Sequence, residues 1–241
     1  MKYYITITIM LKRLITAILL SFTATSAQAF TVTIEDPTVQ SYPITNDVFI
    51  VDFNNQTLGN NGFSLSNGDI TYTYSDELAI TESSEWGGAN SSQFITNSTL
   101  PGEPGNYKIS INQKQKYFGF WWSAGDPYNR ITFKNDGKVV AVLQTDDIVN
   151  HINKINDVAR QSAYKGNPNG GNTQWSLPQI YTFVNVFFNH NGEAYDEIVV
   201  EIMSNPEQAG FESDNHTFSV GEQALSGTLV IDVPPAIVYS D

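Results

Sequence analysis

Apolar and polar residues alternate over many short stretches of this chain, and turn-forming residues separate the stretches. In Ile70–Tyr74 and in Tyr107–Ile111 the apolar side chains fall on one face of an extended backbone. Between two β-branched runs, Asn135-Asp136-Gly137 is typical of a hairpin turn. The pattern predicts strands at Phe30–Ile34, Val48–Phe53, Ile70–Tyr74, Phe94–Ile95, Tyr107–Ile111, Tyr117–Trp122, Arg130–Lys134, Val139–Leu143, Ile180–Phe188, Glu197–Met203, His216–Val220 and Thr228–Val233.

So many short strands with frequent turns favour an all-β fold, namely a two-sheet antiparallel, jelly-roll-like β-sandwich. One segment departs from the strand pattern. Ile148, Ile152, Ile155 and Ala159 recur at helical spacing, which predicts one helix inserted at about 146–164. A single helix packed on or between the sheets is compatible with a sandwich.

The first 29 residues have the composition of a secretory signal. Lys2, Lys12 and Arg13 supply positive charge, residues 14–22 form a short apolar run, and Ala27-Gln28-Ala29 is a small-x-small cleavage site. Met10 is an alternative start, because the residues that follow it have ordinary signal proportions. The other interpretation is an uncleaved membrane anchor, but the apolar run is shorter than the roughly 20 residues of a span. The segment predicts a secreted protein, extracellular or periplasmic.

The remaining chain has the length of one domain. We expect an N-terminal strand or extension at 30–45, the sandwich at 46–220 and a C-terminal strand or tail at 221–241. Asp232, Pro234 and Pro235 interrupt the apolar residues of that tail. The sequence therefore predicts no membrane span after signal cleavage.

The charge and the cysteine content of the chain exclude several classes of partner and site. With 12 basic and 25 acidic residues, the formal charge is −13, and it becomes −16 once residues 1–29 are left out. Acidic surface disfavours nucleic acid as a partner. The chain has no cysteine, which excludes a disulfide, a thiolate zinc site and a cysteine nucleophile. A protein exported to an oxidising compartment without disulfides needs another source of stability.

Three stretches in order carry a resemblance to a known group of proteins. They are residues 117–133, residues 181–200 and the string Phe211-Glu212-Ser213-Asp214-Asn215-His216. Together they resemble bacterial secreted modules of the PEP-CTERM (exosortase-dependent) surface-protein type, over about 46–220. The resemblance implies a jelly-roll-like β-domain at the cell surface or in the extracellular matrix. The Pro-Glu-Pro motif, apolar helix and basic end of a sorting tail are missing from the sequence, so we expect a released protein.

Acidic and amide residues near the two ends of the expected sandwich are candidates for a calcium site. In jelly-roll modules the first and last strands usually lie close together, and a structural calcium often sits between them. Calcium takes six to eight hard oxygens from Asp, Glu, Asn and backbone carbonyls. The candidates are Asp52, Glu212, Asp214 and Asn215. The alternative is that these residues cap turns or are solvated at strand ends.

The aromatic stretch near the middle of the chain has two explanations. Phe118, Phe120 and Trp122 fall on one face of the strand, and Tyr117 and Trp121 fall on the other. Either this is a central strand covered on both sides, or one face is a platform on which sugar rings bind.

A carbohydrate site would combine flat rings with polar hydrogen-bonding groups. The candidates are Trp86, Trp121, Tyr128 and Trp175 for rings, with Asp126, Asn129 and Arg130 as polar partners. Trp86 and Trp175 stand in polar, Gly- and Asn-rich surroundings and are the better ligand candidates.

Catalytic signals are weak. The sequence has no Gly-x-Ser-x-Gly elbow and no His-Glu-x-x-His pair. Glu193, Asp196, Glu197 and Glu201 are close together, but their spacing favours a solvated acidic turn and strand edge over a glycosidase pair. We expect a secreted non-enzymatic protein, an extracellular matrix or cell-surface adhesion component with a structural calcium. The alternatives are a carbohydrate-binding module with glycan partners and a polysaccharide-acting enzyme.

Overall fold

The structure, a computed structural model, describes residues 29–43, 47–98, 105–125, 127–169, 179–190, 193–203 and 210–233. In these ranges, two antiparallel β-sheets pack face to face, and most residues lie in strands. The all-β sandwich expected from the alternating pattern is therefore confirmed.

The first sheet has nine described strands, among them the first and the last described strand along the chain. Its strands are β1 (Phe30–Ile34), β2 (Phe49–Val51), β3 (Gly59–Asn60), β6 (Ala79–Thr81), β7 (Phe94–Ser98), β9 (Tyr117–Gly125), β12 (Ile180–Phe187), β14 (Gly210–Ser219) and β15 (Thr228–Val233). Their order is β15-β1-β12-β9-β14-β7-β6-β3, and β2 also pairs with β14. Because β1 lies between β15 and β12, the sandwich extends beyond residues 46–220 at both ends.

The second sheet has six described strands, in the order β11-β10-β13-β8-β5-β4. They are β4 (Phe63–Asn67), β5 (Ile70–Tyr74), β8 (Tyr107–Gln115), β10 (Asn129–Asn135), β11 (Lys138–Gln144) and β13 (Tyr195–Ile202). The expected hairpin joins β10 to β11. Asn135 pairs with Lys138, and both turn residues have positive φ, 50° at Asp136 and 75° at Gly137. Such a turn matches the twist of the strands it joins.

The helical segment predicted at about 146–164 is present, but a break divides it into two short helices. They are α1 (Thr145–Asn153) and α2 (Val158–Ala163). Asp157 adopts an extended backbone, and its side chain accepts a hydrogen bond from the Arg160 backbone N–H at 3.1 Å. This N-cap starts a new helix where the periodicity suggested continuation. Neither described helix is long and apolar enough to cross a membrane.

Helix α1 closes one side of the sandwich. It contacts β10 and β11 of the second sheet and β15 of the first. Since β11 and β15 are edge strands of different sheets, the helix bridges the two edges. Ile148 and Ile152, two residues of the predicted apolar stripe, are fully buried in the core.

The aromatic strand β9 is central, and all nine of its residues are buried. Phe118, Phe120 and Trp122 belong to the core between the sheets. On the outer face of the first sheet lies a second apolar group, which we term the outer aromatic cluster: Tyr42, Tyr117, Trp121, Tyr181, Phe183 and Phe187. Tyr42 comes from the loop after β1, and Trp86 of the loop after β6 packs against the cluster. Strand β9 is thus covered on both sides.

Candidate functional site

Pairing of β2 with β14 brings distant acidic residues to one corner of the first sheet. The register places Val51 opposite His216 and Phe49 opposite Phe218. Asp52 therefore follows the last paired residue of β2, while Asn215 and Asp214 precede the paired part of β14. The structure thus brings three of the four calcium candidates together, although Asp52 lies about 160 residues before Asp214 and Asn215 in the sequence.

A pocket of about 360 Å³ opens at this corner. We call it the corner pocket. It is lined by Ser41, Ile50, Asp52, Asn54, Ala89, Asn90, Ser92 and Asn215. Most of these residues carry a carboxylate, amide or hydroxyl oxygen, so the lining is rich in hydrogen-bonding groups.

The Asp214 carboxylate lies fully buried beside the pocket. Its Oδ2 accepts hydrogen bonds from the Ala89 backbone N–H at 2.8 Å and the Ser92 hydroxyl at 2.5 Å. Its Oδ1 accepts one from the Asn215 N–H at 2.6 Å. Burial raises the pKa of Asp214 to about 7 despite these hydrogen bonds, and the charge of Asp52 adds to the rise. Near neutral pH, this group can gain or lose its proton.

The backbone around the pocket is held in unusual conformations. Six non-glycine residues of the described ranges have positive φ, and four belong to this corner: Phe53 (57°), Asn90 (51°), Ser91 (66°) and Asn215 (50°). Phe53 is anchored by its ring, which lies edge-on to His216 with centroids 5.1 Å apart. Such conformations persist only where the surrounding structure enforces them, and they concentrate at functional sites.

Polar side chains fix the loop that forms one wall of the pocket. The Gln40 side-chain oxygen accepts the Asn90 N–H at 2.6 Å, and the Gln40 carbonyl accepts from Asn215 Nδ2 at 2.8 Å. Asn169 Nδ2 donates to the Gly88 carbonyl at 2.6 Å. Sequence reasoning missed Gln40, Asn90, Ser92 and Asn169, because isolated polar residues in loops carry no spacing signal.

The fourth calcium candidate lies elsewhere on β14. The Glu212 carboxylate accepts a hydrogen bond from the Thr96 hydroxyl at 3.3 Å, and Glu212 does not line the corner pocket. Among the described residues, no group of three or more His, Asp or Glu side chains is placed to hold a metal ion. A cation in the corner pocket would therefore depend on amide, hydroxyl and carbonyl oxygens together with two carboxylates.

The carbohydrate candidates do not share one described surface. Trp121 and Asn129 are buried, at 0% and 1% exposure, and cannot reach a ligand in this conformation. Arg130 forms two hydrogen bonds of 3.0 Å to Glu201, which hold the pKa of that carboxyl below its ordinary value. Trp86 is half-buried, and Tyr128 is 45% exposed. Asp126 and Trp175 lie outside the described residues.

A second pocket, which we call the edge cleft, has a volume of about 460 Å³. Phe49 and Tyr72 stack along it with ring centroids 4.9 Å apart. Asp47, Asn67 and Glu222 add polar groups to the same cleft. Sequence reasoning did not single out these residues, since they meet only through the packing of one sheet on the other.

The cluster of acidic residues considered for catalysis is mostly engaged in contacts between neighbouring strands. Glu197 pairs with Lys134 at 2.7 Å, and Glu201 pairs with Arg130. Asp196 accepts a hydrogen bond from the Asp136 N–H at 3.0 Å in the adjacent hairpin. These contacts fit side chains that stabilise the second sheet.

A serine–histidine pair does occur, but it lies in the core. Ser213 Oγ is 2.9 Å from His216 Nε2, and the Tyr74 hydroxyl is 3.1 Å from His216 Nδ1. Burial lowers the pKa of His216 to about 3, so the imidazole is neutral. With Ser213 at 0% and His216 at 1% exposure, the pair is sealed from solvent in this conformation.

No protein-family model matches the chain, and no match was found among curated proteins or solved structures.

Proposed function

We propose that this is a secreted, non-enzymatic β-sandwich protein that acts outside the cell as a matrix or adhesion component. In this proposal the corner pocket holds a structural calcium ion. The observation that carries it is the β2–β14 pairing, which places Asp52 and Asn215 around one oxygen-rich pocket beside the buried Asp214.

Calcium fits the chemistry of this corner. It takes six to eight oxygens in flexible geometry, and it accepts amide and hydroxyl oxygens beside carboxylates. Asp52 lies close enough to Asp214 for its charge to raise the pKa of that carboxyl. A divalent cation between them would relieve this repulsion and the cost of a buried anion.

A bound ion would also stabilise a chain that has no cysteine. It would link β2, β14 and the loop around Ser92, three segments far apart in sequence. Binding to the folded state alone stabilises it by mass action. Export is supported by the signal-like residues 1–29 and by the resemblance to secreted surface modules.

The calcium site is tested by thermal unfolding near pH 8 with calcium, magnesium or a chelator. For a dissociation constant of about 10⁻⁴ M, about 5 mM calcium stabilises by about 2 kcal/mol, or about 5 °C in Tm. Asp52→Asn should remove most of this shift, and the matched control Asp69→Asn, an exposed acid in the β4–β5 turn, should keep it. A calcium response equal to the magnesium response, or none at all, would exclude the site.

Adhesion is tested separately. Labelled protein is mixed with cells and isolated extracellular polymer of the organism that encodes it, with calcium or with chelator. Retention on either material that falls with chelator and with Asp52→Asn supports the proposal. Equal retention of the protein and of an unrelated acidic protein contradicts it.

A carbohydrate-binding module is the second candidate, favoured by the aromatic wall of the edge cleft. The partly buried Phe49 offers an apolar ring, which the buried Tyr72 supports from behind, and Asp47, Asn67 and Glu222 offer partners for sugar hydroxyls. A glycan array should then give a hit that Phe49→Ala abolishes and that Leu58→Ala, at an exposed site outside the cleft, retains. An array without hits would remove this candidate.

A further inference from the structure

A buried acid lies beside the point where the chain enters β1. Glu193, in the connection between β12 and β13, is only 7% exposed. Its Oε1 accepts a hydrogen bond from the Ala29 backbone N–H at 2.5 Å. Its Oε2 is buried and has no hydrogen-bond partner in the part of the chain that the structure describes. Half of this carboxylate is therefore unsatisfied.

The Glu193 side chain has no ion-pair partner in the ranges that the structure describes. None of the five ion pairs among the described residues includes it. Burial raises the pKa of the Glu193 carboxyl, while the Ala29 N–H and the nearby His190 act in the opposite direction. A buried carboxylate with one free oxygen is costly unless a positive charge reaches it.

The sequence places a cleavage site at this position. Ala27-Gln28-Ala29 has the small-x-small pattern that signal peptidases cut, directly before Phe30. Phe30 is the first residue of β1, and its ring packs against Phe188 with centroids 6.3 Å apart. Ala29 is fully buried. Removing residues 1–29 therefore frees space directly beside Glu193.

We infer that cleavage between Ala29 and Phe30 creates the missing cation, an α-ammonium group at Phe30 that pairs with the Glu193 carboxylate. Water hydrolyses the peptide bond at a membrane-bound peptidase. Ala29 leaves with the new carboxylate, and the Phe30 amine takes up a proton. The Phe30 nitrogen lies one residue, about 3.6 Å or less, from the nitrogen that now contacts Glu193. Processing thus completes a buried ion pair that joins β1 to the β12–β13 connection.

The first test is the position of the new N-terminus. The full chain is expressed in an exporting host, and the secreted product is analysed by intact mass and N-terminal sequencing. We expect Phe30 as the first residue. A product that begins at another residue, or that keeps residues 1–29, overturns the inference.

The second test measures the ion pair in the processed protein, with chelator present so that calcium plays no part. Protein that begins at Phe30 is compared with the same protein acetylated on its α-amino group, each with Glu193 and with Glu193→Gln. We expect acetylation to lower Tm by at least about 3 °C with Glu193 present. With Glu193→Gln the difference should disappear, and with Glu222→Gln, a half-exposed acid, it should persist. Equal acetylation effects in all three proteins contradict the pair.

A third readout does not depend on whether Glu193→Gln folds. The pKa of the Phe30 α-amino group, followed by NMR of the isotope-labelled amine, should lie at least one unit above the ordinary value of about 8. An ordinary pKa in the folded, processed protein would exclude the pair. This inference depends on the proposed export but not on the corner pocket, so either can fail while the other stands.

Discussion

Two ionisable side chains two residues apart on β14, Asp214 and His216, respond to burial in opposite ways. Burial raises the pKa of Asp214 to about 7 and lowers that of His216 to about 3, because both side chains favour their neutral form away from water. Residues two apart on a regular strand point to the same face, but the register of β14 shifts between Asp214 and Thr217. Asp214 therefore lies beside the corner pocket, while His216 lies in the core.

The Asp214 shift gives a pH prediction. The folded protein holds the Asp214 proton between about pH 4 and 7, where the unfolded chain has lost it, so this group stabilises below pH 4 and the contribution is lost as pH rises to 7. Asp214→Asn removes this dependence. Without calcium, the variant should gain stability relative to wild type by up to about 1.4 kcal/mol per pH unit across this window.

Urea unfolding of both proteins at several pH values measures the difference, and Asp69→Asn serves as the exposed control. A wild-type-minus-variant difference that stays constant from pH 4 to 7 would contradict the raised pKa. With saturating calcium the pH dependence should shrink, because a bound cation favours the ionised carboxylate.

Gly119 on β9 has no room for a side chain, which gives a prediction about packing. A Cβ at Gly119 would collide with the Tyr117 hydroxyl and come within 2.8 Å of the Phe183 ring. Gly119→Ala should therefore lower the free energy of unfolding by about 1–3 kcal/mol. Gly105→Ala is the matched control, because nothing lies within 4 Å of its added Cβ. Chemical unfolding of both variants checks this, and equal stabilities would contradict the tight contact.

Strands with alternating or continuous apolar residues were predictable from the sequence. Phe30–Ile34, Ile70–Tyr74 and Thr228–Val233 have the predicted bounds, and the other predicted strands are present with extended, shortened or shifted ends. Three strands were missed: β3, β4 and β6. Both residues of β3 are exposed, and in β4 only Phe63 and Leu65 are partly buried. The hydrophobic pattern of these two strands is therefore weak.

The contact of helix α1 with both sheets should contribute to the stability of the sandwich. The helix bridges the edge strands β11 and β15, and Ile148 is fully buried where it does so. Ile148→Ala should cost about 2–5 kcal/mol of stability, because it leaves a cavity between the two sheets. Val158→Ala, at 72% exposure in α2, should cost less than about 0.5 kcal/mol. If both substitutions cost the same, α1 does not close the sandwich.

At the scale of the whole molecule, the net negative charge determines how stability depends on salt. The chain carries −13, and the five ion pairs of the described residues are partly exposed, so water screens each pair and its contribution to stability is small. Added salt screens both the repulsion among the excess acids and the attraction within these pairs. Because the repulsion is the larger of the two, we expect salt to stabilise the folded protein.

Raising monovalent salt from about 0.01 M to about 0.15 M shortens the screening length from about 30 Å to about 8 Å. We expect Tm to rise by a few degrees in the presence of chelator, equally with sodium and potassium chloride. A Tm that falls with salt would show that the ion pairs, and not the net charge, dominate.

The sequence by itself determined the fold class, since alternation of apolar side chains is a local property that burial of one strand face requires. It also grouped Asp52, Asp214 and Asn215, which the structure brings to one corner, together with Glu212, which lies elsewhere, and it missed Gln40, Asn90 and Ser92 at that corner. Only the tertiary structure decided which polar groups lie together. Strand order and loop placement depend on contacts between residues far apart in the chain, such as Val51 with His216 and Ala29 with Glu193, and no local pattern encodes them.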